Sequence, residues 1–175
     1  MAIGLFGQRL DPVRTYNFVI TLADSASVLG TILSGIQNTL LGGFSECSGL
    51  EMDLKTEDFN EGGNNGTVLK FPTRVTWANI HLKRGAALND ELWKWHYSFV
   101  EGTGTRRDGI IMLQDDEHQP VKMWTFKRGL PVKWTGPTFN AMQSQLAIEE
   151  LEIAHEGLSI QNPGSIIGGI VKSLF

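Results

Sequence analysis

The chain of 175 residues has one cysteine, so no disulfide can form within it and no Cys-based zinc site exists. It has no apolar run near the ~20 residues that a membrane-crossing helix requires. It has no excess of positive charge: 15 Lys and Arg stand against 19 Asp and Glu, a net charge of −4. That balance excludes a broad electrostatic grip on nucleic acid, which calls for a basic face. Residues 1–10 place Arg9 behind their apolar residues and carry no cleavage-type site, so they do not read as a secretory signal. These absences leave an expectation of one soluble, cytoplasmic domain, long enough to bury a core without covalent staples.

Catalytic motifs are missing as well. Gly43-Phe44-Ser45-Glu46-Cys47 lacks the second glycine of a nucleophile elbow, and His81, His96, His118 and His155 are scattered without a metal-binding pair. Gly102-Thr103-Gly104 follows a helical pattern instead of a strand and lacks the Gly-Lys-Ser/Thr of a phosphate cradle. Counted as a calcium loop from Asp58, position 12 is Leu69 where a bidentate Glu is needed. Cys47 has no identifiable catalytic partner, and Trp93, Trp95 and Phe99 read as core. No cofactor, no metal and no enzymatic activity are expected.

What is present is a succession of short strands punctuated by many of the 20 glycines. Tyr16–Leu22 mixes aromatic and β-branched residues behind the turn pair Asp11-Pro12. Leu50, Met52 and Leu54 alternate with Glu51, Asp53 and Lys55, as on a strand with one apolar face. Asn65-Gly66 is a strong hairpin signal, and Thr67–Phe71 is the return strand that Pro72 ends or confines to an edge. Val75–Leu82 alternates with a shift that a bulge near Ala78-Asn79 would explain. Leu88–Val100 is a helix with Leu88, Leu92, Trp95 and Phe99 on one face, capped by Asn89 or Asp90 and ended by Gly102 and Gly104. Ile110–Leu113 and Val121–Phe126 form a hairpin, and Leu130–Thr135 is a separate extended piece limited by Pro131. Leu146–Ala154 fits either a helix or a bulged strand. Helical spacing also marks Asp24–Leu41 and, after Pro163-Gly164, Ile166, Ile167, Ile170, Val171 and Leu174. The outline is about eight strands and one helix, an antiparallel barrel or sandwich with the helix packed on it.

Charge is segregated along the chain. Glu46–Glu61 holds six acids and one lysine, whereas Lys70–Lys133 holds 11 of the 15 basic residues. Opposed segments of this kind suit self-association as well as solvation.

An ordered set of motifs carries a resemblance. It runs from Asp11-Pro12, Tyr16 and Phe18 through Gly43-Phe44-Ser45-Glu46, Cys47-Ser48-Gly49-Leu50 and Glu61-Gly62-Gly63-Asn64-Asn65. It continues with Ile80, Leu82-Lys83-Arg84-Gly85, Leu92-Trp93, Arg106-Arg107, Leu113, Asp115, Trp124, Phe126 and Pro131–Gly136, and ends with Ile148-Glu149 and Leu151–Leu158. Over residues 11–158 the chain resembles the phage tail tube protein family, which includes the inner tube proteins of contractile injection systems. The resemblance implies a mainly β fold with one flanking α-helix, an antiparallel barrel or sandwich of the tail-tube type, shared with type VI secretion tubes. It makes Leu146–Ala154 a strand.

It also implies a domain over residues 1–158, carrying an insert at 24–41 and followed by an extension at 159–175. The implied function is structural: stacked hexameric rings of this chain inside a contractile sheath, meeting baseplate and tape-measure proteins. The lumen would pass DNA or effector cargo without sequence-specific binding, and assembly would take place in the bacterial cytoplasm. A baseplate-proximal, tube-initiating ring is the alternative, and a small-ligand β-barrel a more distant one. On this reading Glu57, Asp58, Glu61, Gly62, Gly63 and Asn64 on the first hairpin are intersubunit contact candidates, with Arg84, Arg106 and Arg107 as ion-pair partners for the acidic segment. Ile166, Ile167, Ile170, Val171, Leu174 and Phe175 are candidates for contact with neighbouring rings or a baseplate.

Overall fold

The computed structural model of the chain describes residues 14–24, 43–63, 66–86 and 90–161. In chain order these form β1 (Phe18–Asp24), β2 (Glu46–Ser48), β3 (Met52–Phe59), β4 (Leu69–Trp77) and β5 (Ile80–Gly85). They continue with α1 (Glu91–Val100), β6 (Arg107–Gln114), β7 (Pro120–Thr135), β8 (Ile148–Ala154) and β9 (Gly157–Gln161). The pair Asp11-Pro12 and the helix-spaced stretches within 25–42 and 162–175 lie outside the described residues.

The body is a sheet in the order β1-β6-β7-β8-β5-β2, with β9 also paired to β7 and every pairing antiparallel. Its organising element is β7. The extended piece at Leu130–Thr135 proves to be the second half of this sixteen-residue strand. Between the halves Arg128 takes a φ of 53° and donates its N–H to Asp108 Oδ1 at 2.7 Å. The register against β6 shifts at the same place, between Arg107 and Gly109. A bulge of this kind bends a strand and raises its twist. The first half of β7 therefore lies between β6 and β9, while the second half turns to pair with β8.

Inward side chains of the folded sheet form one core: Ile20 and Leu22 from β1, Ile80 and Leu82 from β5, Phe126 from β7, and Leu151 and Ile153 from β8. Leu92 and Trp95 of α1 join it, and the Trp95 indole N–H reaches the Thr105 carbonyl at 3.0 Å. The helix begins at Glu91, with Asp90 at the cap position but making no side-chain capping bond, and Gly102 at φ 75° follows its end. Trp93 departs from its expected core position: it is 41% exposed, stacked on Tyr97 at 5.5 Å and edge-on to Trp134 at 4.8 Å. The β6–β7 turn is built by Asp115, whose carboxylate accepts the N–H groups of Glu117 and Gln119 at 2.9 and 2.8 Å.

Val75–Leu82 is two strands instead of one bulged strand. At Ala78-Asn79 the chain leaves β4 and enters the body as β5. Gly49 makes that crossing possible: it sits at φ 86°, and a Cβ there would fall 1.9 Å from the Asn79 carbonyl oxygen. Pro72 lies inside β4, opposite Thr56 beside a register shift, on a strand that pairs on one side only among the described residues. Leu146–Ala154 resolves as a strand, β8, and β9 runs three residues beyond residue 158.

Two glycines make room for the fully buried Phe126 ring: a Cβ on Gly109 would lie 2.1 Å from it and one on Gly129 2.7 Å. Gly109→Ala is expected to cost about 1–3 kcal/mol through overpacking. Gly109→Ala/Phe126→Leu should recover part of that loss. Urea denaturation of both variants reads the coupling, and strict additivity would refute this account of the corner.

Candidate assembly surface

Among the described residues, no three His, Cys, Asp or Glu side chains converge as a metal site. Burial, with a smaller contribution from Glu46, pushes the Cys47 thiol up to about 11, so it stays protonated at neutral pH. The features left to explain are surfaces.

The largest is the ribbon of β3 and β4, a two-stranded sheet of its own outside the sheet of the body. All eight residues of β3 are exposed. Near the base Met52 faces Trp77 and Leu54 faces Val75; near the tip Glu57 faces Phe71 and Phe59 faces Leu69. Directly opposed residues share a face, and alternate pairs lie on the same one. The tip therefore carries Phe59, Leu69 and Phe71 together with Glu57 on one side. Asp58 and Lys70 are on the other, joined at 2.7 Å. Phe59 and Phe71 meet edge to face at 6.1 Å yet remain 54% and 52% exposed. A lone hairpin of this kind is marginal in water, and an apolar surface of this extent marks an interaction site.

The ribbon is anchored at its base. The Ala78 N–H reaches the Glu51 carbonyl at 3.3 Å, and Asn79 Nδ2 donates to Glu152 Oε1 at 2.6 Å. Trp77 packs on His155 with ring centres 5.9 Å apart, and His155 packs in turn on Phe126 at 6.1 Å. Burial lowers the His155 pKa below its ordinary value, partly offset by the backbone of Gly157 and Ala78.

The candidate contact residues divide accordingly. Glu57, Asp58, Glu61, Gly62 and Gly63 all lie on the projecting ribbon or its turn, with Gly63 at φ 93°. Asn64 and the six candidates from Ile166 to Phe175 lie outside the described residues. Arg84 requires a correction. Its side chain is 2% exposed and its Nε donates to Glu149 Oε1, while Glu149 Oε2 accepts the Trp134 indole N–H at 3.1 Å. Arg84 is a core residue whose charge is met inside its own chain, so it offers nothing to a neighbour's acidic segment. Arg106 binds Glu156 at 2.7 Å beside Arg128, which binds the same carboxylate at 3.0 Å. Arg107 reaches Glu91 at 4.0 Å and lies over the Trp95 ring at 5.5 Å. The three arginines form no common cluster.

Sequence reading identified an apolar face at Leu50, Met52 and Leu54 but not that Met52, Leu54, Phe59, Leu69 and Phe71 stay exposed. Alternation identifies an apolar face without saying whether the same chain covers it.

Comparison with known proteins gives a family and a fold. The family described as T4-like virus tail tube protein gp19 matches residues 14–159. No curated protein sequence matches significantly. Among solved structures, a chain of the anti-feeding prophage baseplate superposes with a TM-score of 0.74 at 22% identity, over 88% of this chain and 98% of that one. A chain of the PVC sheath–tube complex, an extracellular contractile injection system in its extended state, gives 0.71 at 22%, over 86% and 92%. Hcp1 from Flavobacterium johnsoniae gives 0.53 at 15%, over 82% and 95%. The mainly β, antiparallel fold of the described residues is common to all three.

The buried pair gives a measurable outcome. Arg84→Met strands the Glu149 carboxylate and is expected to destabilise the chain by about 3–5 kcal/mol. Arg84→Met/Glu149→Leu should restore most of that stability in denaturant titration. A single variant within 1 kcal/mol of the parent, on the order of an exposed pair, would contradict the core assignment.

Proposed function

The chain belongs to the T4-like virus tail tube protein gp19 family, and from that premise we propose that its copies form six-membered rings that stack into a hollow conduit. It is a structural inner-tube subunit of a phage-tail-like or contractile injection particle. The observation that supports assembly from copies is the exposed ribbon of β3 and β4, which a neighbouring copy would complete. The body supports it: among the described residues, β1, β2, β9 and one side of the second half of β7 carry strand edges without a partner strand. Edges of this kind recruit further strands, and a closed ring removes them.

Around such a tube we place a contractile sheath, by analogy with the sheath–tube complex of the PVC neighbour, and at its ends baseplate and tape-measure proteins. The conduit is passive: no catalysis is assigned to the chain, and DNA or effector cargo passes without sequence-specific recognition, in keeping with a net charge of −4. Assembly takes place in the bacterial cytoplasm before the particle acts. Glu57 and Glu61 of the ribbon contribute to contact between copies.

Negative-stain electron microscopy of the purified full chain tests the reading, with rings or tubes of uniform diameter as the expected result. Glu57→Arg/Glu61→Arg should reduce ring yield about tenfold, equivalent to about 1.4 kcal/mol, with the monomer's urea midpoint almost unchanged. Monomers alone at every protein and salt concentration would contradict the proposal.

A further inference from the structure

Among the described residues, the body has one further apolar opening of note. Phe18, Cys47, Leu50, Ile111, Leu113 and Trp124 line a cavity of about 160 Å³ where β1, β2, β6 and β7 converge, with Thr15 at its edge. A cavity of about 150 Å³ lined by apolar side chains accepts a benzene ring, so this one accommodates a single phenylalanine side chain.

The ribbon tip presents such a side chain. Phe59 and Phe71 stand on one face with Leu69, each about half exposed. The tip cannot fill the cavity of its own chain. Leu50 of the lining lies two residues before β3, so the cavity opens at the ribbon's base, and β3 is paired along its length to the tip pair Phe59–Leu69. Seven residues at about 3.3 Å each hold tip and base about 23 Å apart.

Charge favours the same match. Lys122 lies over the ring of Trp124 at 5.4 Å and has no carboxylate partner among the described residues. The acids near the opening are engaged, Glu46 by Lys83 at 3.0 Å and Asp116 by Arg14 at 3.8 Å. Glu57, on the same face as Phe59, supplies the complementary carboxylate. We propose that the cavity lined by Leu50, Leu113 and Trp124 receives the ribbon-tip aromatic, Phe59 or Phe71, of a second copy of this chain. The contact is head to tail: each copy offers a tip and a socket, so it propagates from copy to copy. This inference rests on the tube reading and specifies which surfaces meet.

Photo-crosslinking tests it. The full chain carries p-benzoylphenylalanine in place of Phe59 or, separately, of Phe71, and isotope-labelled and unlabelled copies are mixed, irradiated and mapped by mass spectrometry. The expected product is a crosslink between copies, from position 59 or 71 to the peptides holding Leu50, Leu113 or Trp124. Leu113→Arg in the receiving copy should lower its yield at least tenfold. Crosslinks confined to one chain or directed elsewhere would overturn the docking, as they would if residues 1–13 or another partner held the cavity. Rings or tubes in the same irradiated sample would then leave the tube reading standing; a sample with neither crosslinks between copies nor rings would count against both.

Discussion

The corner of β7 at Arg128-Gly129 is the constraint on which the rest of the body depends. One strand serves two groups of partners because its backbone turns there, with Asp108 holding the Arg128 N–H and glycine on either side of the Phe126 ring. Straightening the corner would separate β8 and β5 from β1 and β6 and open the core between them. The helix depends on the same region. Trp95 bonds to Thr105 just before β6 starts, and Arg107, the residue opposite Gly129 in the ladder, covers the Trp95 ring. Polar contacts at the corner thus set the geometry, and apolar burial supplies most of the stabilisation.

The ribbon obeys a different balance. It has a backbone ladder interrupted by one register shift and little burial, so its side chains return little of the free energy spent on ordering it. Covering a large apolar side chain is worth about 1.5–3 kcal/mol, so burying Phe59, Leu69 and Phe71 together is worth several. Contact with a neighbouring copy would realise that gain, in keeping with membership of a tail tube protein family. It is partly offset by the entropy of association, so repeated weak contacts, rather than one tight one, would hold such a tube together.

Much of the body was legible because its strands follow simple alternation, as Ile80 and Leu82 do in β5. β8 was harder. Its inward positions are 149, 151 and 153, and the first is Glu149, so the apolar pattern looks broken where a buried carboxylate meets Arg84 across the β5–β8 ladder. The same pair accounts for Arg84: alternation in β5 carries it inward behind Ile80 and Leu82, but an arginine at that position reads as a surface charge until its partner, 65 positions away, is placed beside it. The continuity of β7 was hidden by Arg128, a non-glycine residue at positive φ that no local turn signal announces. For the candidate surface, the hairpin was evident from its Asn65-Gly66 signal, but its return strand was expected at Thr67–Phe71, whereas β4 runs from Leu69 through Pro72 to Trp77. The hairpin's separation from the body was not evident, because exposure is settled by the whole fold. The resemblance to tail tube proteins decided what local pattern left open at Leu146–Ala154, and the family match over residues 14–159 agrees with it.

The central claim is that the body folds within one chain whereas the ribbon is completed only by a neighbour. Amide hydrogen exchange, followed by mass spectrometry on monomer and on assembled particles, measures this directly. The account predicts that peptides from β3 and β4 exchange rapidly in the monomer and slow by at least tenfold on assembly, while the core peptides of β6 and β8 are slow in both. Equal protection of β3 and β4 in the two states would contradict it.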